Sequence, residues 1–121
     1  MGKKVLIVDD SQSVRQQVSL ALQQAGYETV EAVDGEDGAA KISSISDIAL
    51  VISDVNMPKM NGLEMLEKVS GRIQGGLPVV MLTTEGQPSL IKRAKEAGAK
   101  GWVIKPFKAA LLVSTVDKLV Q

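Results

Sequence analysis

Four residues that could do chemistry close apolar runs of this chain: Asp9 and Asp10 end VLIVDD, Asp54 ends ALVISD, and Lys105 ends WVIK. If those runs are parallel strands of one open sheet, their carboxyl ends converge on a single crevice. Three carboxylates meeting there repel one another and raise one another's pKa. A hard divalent cation relieves that repulsion. Mg²⁺, which takes one or two carboxylates together with waters and phosphate oxygens, suits the set. An aspartate beside such a cation can act as a nucleophile that accepts a phosphoryl group as an acyl phosphate, and Asp54 is the candidate. Lys105 then supplies the counter-charge and Thr83, at the end of VVMLT, a hydroxyl donor. Phosphoryl transfer asks mainly for this positioning and charge neutralisation.

Each of these residues also has a plainer use. Asp10 or Ser11 can cap the helix that follows. Asp54 can simply open the loop VNMPKMNG. Lys105 alone reads as a solvated strand end, and Thr83 alone as a β-branched strand residue. Joint placement favours the phosphoryl reading over these separate ones. Trp102, the lone tryptophan, reads on packing grounds as a partly buried residue of an edge strand with its N–H near water. For Lys105-Pro106 the local preference is a trans turn.

The strands that must present these residues are Val5 to Val8, Glu28 to Ala32, Ala49 to Ser53, Val79 to Leu82 and Trp102 to Ile104. The first, third and fourth are continuously apolar, as strands covered on both faces are. Glu28, Thr29 and Glu31 mark the second as a sheet edge, and the short fifth run reads as the other edge. Helical spacing between the runs predicts five helices. The first spans Ser13 to Ala25 and stops at Gly26; a weaker one spans Gly35 to Ser44; Leu63, Leu66 and Val69 mark a third; Pro88 starts a fourth that Gly98 ends; Leu112, Val116 and Leu119 mark the last. This alternation predicts a doubly wound α/β fold with a five-stranded parallel sheet.

Composition narrows the chemistry further. The chain has 121 residues, of which 45% are hydrophobic, enough for one domain over 1–121, and no linker or second domain is visible. Without cysteine or histidine, zinc and iron–sulfur sites, thiol nucleophiles and serine-histidine triads are excluded. Formal net charge is zero; the N-terminal third is mainly acidic and Lys92 to Lys108 mainly basic, with no run dense enough for nucleic acid. No signal-like or membrane-spanning segment is seen, so no membrane partner and a cytoplasmic location are expected.

Taken together, VLIVDD, VISDVNMPKMNGLE, LPVVMLTTEG and GWVIKPF resemble the receiver domain of bacterial two-component response regulators, over almost the whole chain. In length it is similar to the stand-alone chemotaxis regulators of that family; the alternative is a receiver within a larger regulator such as a transcription factor. The resemblance implies a flavodoxin-like strand order 2-1-3-4-5. It implies that Asp54 is the phosphoacceptor, and that Asp10, Asp54 and the Asn56 carbonyl bind Mg²⁺ with Asp9 assisting through water. Thr83 and Lys105 then contact the phosphoryl group, Lys105-Pro106 is cis, and the donor is a phosphohistidine on a sensor kinase. Thr83 and Trp102 form the switch, and the face of the fourth helix, fifth strand and fifth helix binds the downstream target. Asn56, Thr84 and Glu85 occupy positions that modulate dephosphorylation. Three residues depart from the family's usual pattern: Trp102 stands for Tyr or Phe, Thr84 for Ala, and Pro88 stiffens the start of the fourth helix.

Overall fold

The apolar, β-branched runs fold as strands β1 (Lys4–Val8), β3 (Ile48–Ser53) and β4 (Val79–Thr83), with β2 (Glu28–Ala32) and β5 (Gly101–Ile104) outside them. The computed structural model describes residues 2–55, 57, 60–84 and 88–120. Every pairing is parallel and the order is β2-β1-β3-β4-β5, so the two runs read as edges are edges. All five residues of β4 are buried, whereas β2 keeps Glu28 and Glu31 in solvent. Charge on an edge blocks pairing with a second sheet.

Alternation along the central strands divides the core into two layers. Val5, Ile7, Leu50, Ile52, Val80 and Leu82 pack on Val18 and Leu22 of α1 (Gln12–Gln24) and on Leu112 and Val116 of α6 (Ala109–Leu119). Leu6, Val8, Val51, Val79 and Met81 face the other way, onto α2 (Gly35–Ser44), α3 (Gly62–Lys68) and α5 (Pro88–Glu96). With helices on both faces, the expected doubly wound arrangement is the observed one.

One expected helix is two. The segment marked by Leu63, Leu66 and Val69 ends as α3 at Lys68, and a five-residue helix, α4 (Ser70–Gln74), follows. Val69 sits between them at φ −104°, ψ 23° and is buried in the core. Ser70 and Gly71 are weak helix formers, so burying Val69 wins over continuing the helix axis. Arg72 then ties α4 to the end of α2 by donating to the carbonyl of Ile42. The fourth and fifth helices expected from sequence are therefore α5 and α6.

The far end of the sheet is tied by Tyr27, the only tyrosine, whose hydroxyl donates to the Asp117 carboxylate on α6. Burial, then the hydrogen bond to Asp117 and its negative charge, push the phenol up to about 12. A raised folded-state pKa means the stabilisation is complete below the ordinary value of about 10 and is lost as pH rises through the folded value. Asp117→Asn should therefore shift the tyrosinate absorbance midpoint down toward the ordinary value. An unchanged midpoint would exclude the tie.

Candidate functional site

The parallel register delivers the chemistry-bearing residues to one edge of the sheet. Val8 lies beside Ser53, and Thr83 beside Ile104, so the residues just beyond these positions emerge together. The backbone ladder continues into them: Asp9 N–H donates to Ala32 O at 3.1 Å, Asp54 N–H to Val8 O at 2.9 Å, and Lys105 N–H to Thr83 O at 2.8 Å. From β1 the chain passes to β2 on one side and then to β3 on the other, and this reversal opens the crevice.

Within it, one carboxylate oxygen from each of Asp9, Asp10 and Asp54 lies within 4.8 Å of the others. Lys105 Nζ donates to Asp9 Oδ2 at 2.9 Å and to Asp54 Oδ2 at 3.3 Å. The three acids differ in exposure. Asp9 is 1% exposed and Asp54 8%, while Asp10 faces solvent. Asp9 Oδ1 accepts from the Ser11 N–H at 2.9 Å, so both its oxygens are held by protein donors. Asp54 Oδ1 accepts from the Val55 N–H at 2.8 Å. Of the two possible caps for α1 it is Ser11 that serves, accepting from the Val14 N–H at 3.3 Å.

Burial pushes the Asp54 carboxyl above its ordinary range; the Lys105 charge opposes this and Asp9 adds to it. For Lys105, burial disfavours the ammonium, but its hydrogen bond to Asp9 and the charges of Asp54 and Asp9 prevail, and its pKa rises. All of the donors are carboxylate oxygens within reach of one ion, without sulfur or imidazole, and the Asp54 anion is under strain. That set fits a hard divalent cation.

Thr83 is buried at the end of β4 and Thr84, next to it, is exposed. Trp102 is half-buried against the core layer beneath α2, α3 and α5. Its indole N–H, expected near water, is instead buried with no hydrogen-bond partner, and Trp102 lines a cavity of about 40 Å³ between α5 and β5 together with Ile91, Ala94 and Ala99. The Lys105-Pro106 bond is cis, against the local preference for trans. Asn56 and Glu85 lie outside the described residues.

Two supporting residues escaped the reading of the sequence. A Cβ on Gly62 would stand 2.3 Å from the Asp54 carbonyl oxygen, so only glycine lets α3 start directly behind the site. The Asn61-Gly62-Leu63-Glu64 run is a capping box, with Glu64 N–H on Asn61 Oδ1 at 2.9 Å and Asn61 N–H on Glu64 Oε1 at 3.0 Å. That spacing was the available signal. Arg15 is the other, and no local pattern marks it.

The profile of the response regulator receiver domain matches residues 5–117. The chain belongs to that family. It is 37% identical to the chemotaxis protein CheY1 of Helicobacter pylori over 116 residues, covering 94% of both chains. It is 32% identical to CheY of Thermotoga maritima over 120 residues, covering 98% of both. The solved structure of CheY4 from Vibrio cholerae superposes with a TM-score of 0.91 at 43% identity, covering 98% of this chain and 99% of that one. This receiver is thus CheY-like along its matched length. Among its described residues no helix is long and apolar enough to cross a membrane.

Crowding of the acids has a measurable consequence. Asp54→Asn removes one buried carboxylate and leaves Lys105 paired with Asp9, so without Mg²⁺ at neutral pH it should raise Tm, by roughly 4 °C per kcal/mol relieved. A carboxyl with a raised folded-state pKa contributes stability below its ordinary value of about 4 and loses it as pH rises through the folded value. The difference between variant and wild type should therefore vanish in acid. A variant less stable than wild type at neutral pH would contradict the crowding.

Proposed function

We propose that residues 1–121 are a single receiver acting as a phosphorylation-activated switch, with Asp54 accepting a phosphoryl group from a sensor kinase phosphohistidine. The observation that carries this reading is the shared ammonium: Lys105 reaches both Asp9 and Asp54, with the exposed Asp10 in the same crevice. A carboxylate oxygen of Asp54 attacks phosphorus as the P–N bond to the donor imidazole breaks, and the electron pair leaves with the nitrogen. The Val55 N–H fixes the Asp54 carboxylate plane during the attack. Lys105, already beside Asp54, balances the charge arriving on the phosphoryl oxygens. Thr83 supplies a hydroxyl donor from the end of the neighbouring strand.

Asp10, Asp54 and the Asn56 carbonyl would hold Mg²⁺, with Asp9 assisting through water. The bound ion supplies further neutralisation of phosphoryl charge. Asp9 suits an indirect role because both its oxygens already accept from protein donors, whereas Asp10 faces solvent. Thr84, exposed beside Thr83, adds bulk where donor or water approaches, and with Asn56 and Glu85 it tunes the lifetime of the acyl phosphate.

Phosphorylation adds about −1.5 to −2 charges and three acceptor oxygens next to Thr83. Thr83 and Trp102 relay this change to the face formed by α5, β5 and α6, which binds a downstream protein target. Kinship with CheY proteins across nearly the whole chain supports a chemotaxis pathway in the cytoplasm.

Asp54→Asn should abolish acid-stable ³²P labelling from a phosphodonor and the Mg²⁺-dependent binding of beryllofluoride. Full labelling of that variant at another residue would sink the assignment. Because Trp102 is the only tryptophan, its emission should change when phosphodonor is added with Mg²⁺. Constant emission with labelling confirmed would remove Trp102 from the switch.

A further inference from the structure

Arg15, near the start of α1, has no part in the mechanism above, yet its side chain is only 12% exposed. Its Nη1 donates to the backbone carbonyl of Asp9 at 2.6 Å, and its Nε donates to Glu31 Oε1 on the edge strand at 3.0 Å. A guanidinium can hold two acceptors in a fixed fork, which an ammonium cannot. The carbonyl it grips belongs to the peptide joining Asp9 to Asp10. With that contact every polar atom of Asp9 is engaged: N–H on Ala32, Oδ1 by Ser11, Oδ2 by Lys105 and carbonyl by Arg15. Asp10 has no comparable restraint of its own side chain from burial, since it faces solvent. The peptide that Arg15 grips bears on where the Asp10 Cα–Cβ bond leaves the chain, the starting point from which its carboxylate can reach the crevice.

We infer that Arg15 is a positioning residue of the cation site: anchored by Glu31, it sets the plane of the Asp9–Asp10 peptide and so aims Asp10 toward Asp54. This rests on the reading of the crevice as a Mg²⁺ site. A fixed positive charge acting only through space would do the opposite and weaken cation binding. Removing Arg15 therefore separates the two accounts by sign.

The test is calorimetric titration of Mg²⁺ into the metal-free protein, at a temperature where each variant is shown to be folded. Arg15→Met should weaken Mg²⁺ binding about tenfold, the low end for groups that orient a ligand from behind. Glu31→Ala, which releases the guanidinium without touching the helix, should weaken it in the same direction. Glu31→Gln keeps an acceptor for Nε and should bind like wild type. Binding by Arg15→Met that is unchanged or tighter, while Asp10→Asn loses binding, would overturn the positioning role and leave the site reading intact. A wild type that binds no Mg²⁺, or binds it equally well as Asp10→Asn, would overturn both. A purely structural role would lower Tm in Arg15→Met and Glu31→Ala and leave the affinity of the folded proteins unmoved, which also overturns the inference.

Discussion

One ammonium between two buried carboxylates is the contact around which this end of the molecule is arranged. Lys105 comes from beyond the edge strand β5 and reaches Asp9 and Asp54 beyond the central strands β1 and β3. Removing that ammonium would leave the two buried carboxylates uncompensated. The pairing is nevertheless incomplete: burial leaves Asp54 short of full compensation, and Asp10 adds a third acid to the group. Three carboxylates against one ammonium leave the crevice two positive charges short.

The rest of the fold serves to keep that shortage in place. Two core layers hold the sheet rigid from both faces, and the ladder bonds of Asp9, Asp54 and Lys105 carry that rigidity one residue beyond each strand. Gly62 lets α3 begin against the back of Asp54, and the capping box at Asn61 and Glu64 starts the helix without help from the site. On the opposite side Ser11 caps α1, which frees Asp10 from that duty. Stability and chemistry are thus assigned to adjacent residues rather than to the same ones.

Much of this was legible in the chain. Continuous apolar runs marked β1, β3 and β4 as central, and Glu28 and Glu31 marked β2 as an edge, because burial and solvation act on each residue directly. Less legible was the break at Val69: helical spacing extends smoothly through Leu63, Leu66 and Val69, and only the pull of the core on Val69 interrupts it. Trp102 lies on the edge strand as its place in the chain indicates, but nothing local reveals that its N–H is buried without a partner. For Lys105-Pro106 the local preference pointed to trans, and it was the resemblance of GWVIKPF to receivers that implied the observed cis bond.

By itself the sequence determined which residue types stand at the strand ends, and hence that oxygen ligands and one ammonium were available; those facts depend on neighbours a few positions apart. Tertiary structure alone decided how they divide the work. Lys105 meets Asp9 across 96 positions and Asp54 across 51, and only the strand order brings these three together. The same holds for Arg15, whose grip on Asp9 and Glu31 requires α1 to lie over the β1–β2 edge. Spacing specifies a repeat along one element, whereas the partner of a side chain is specified by which elements the hydrophobic core packs side by side.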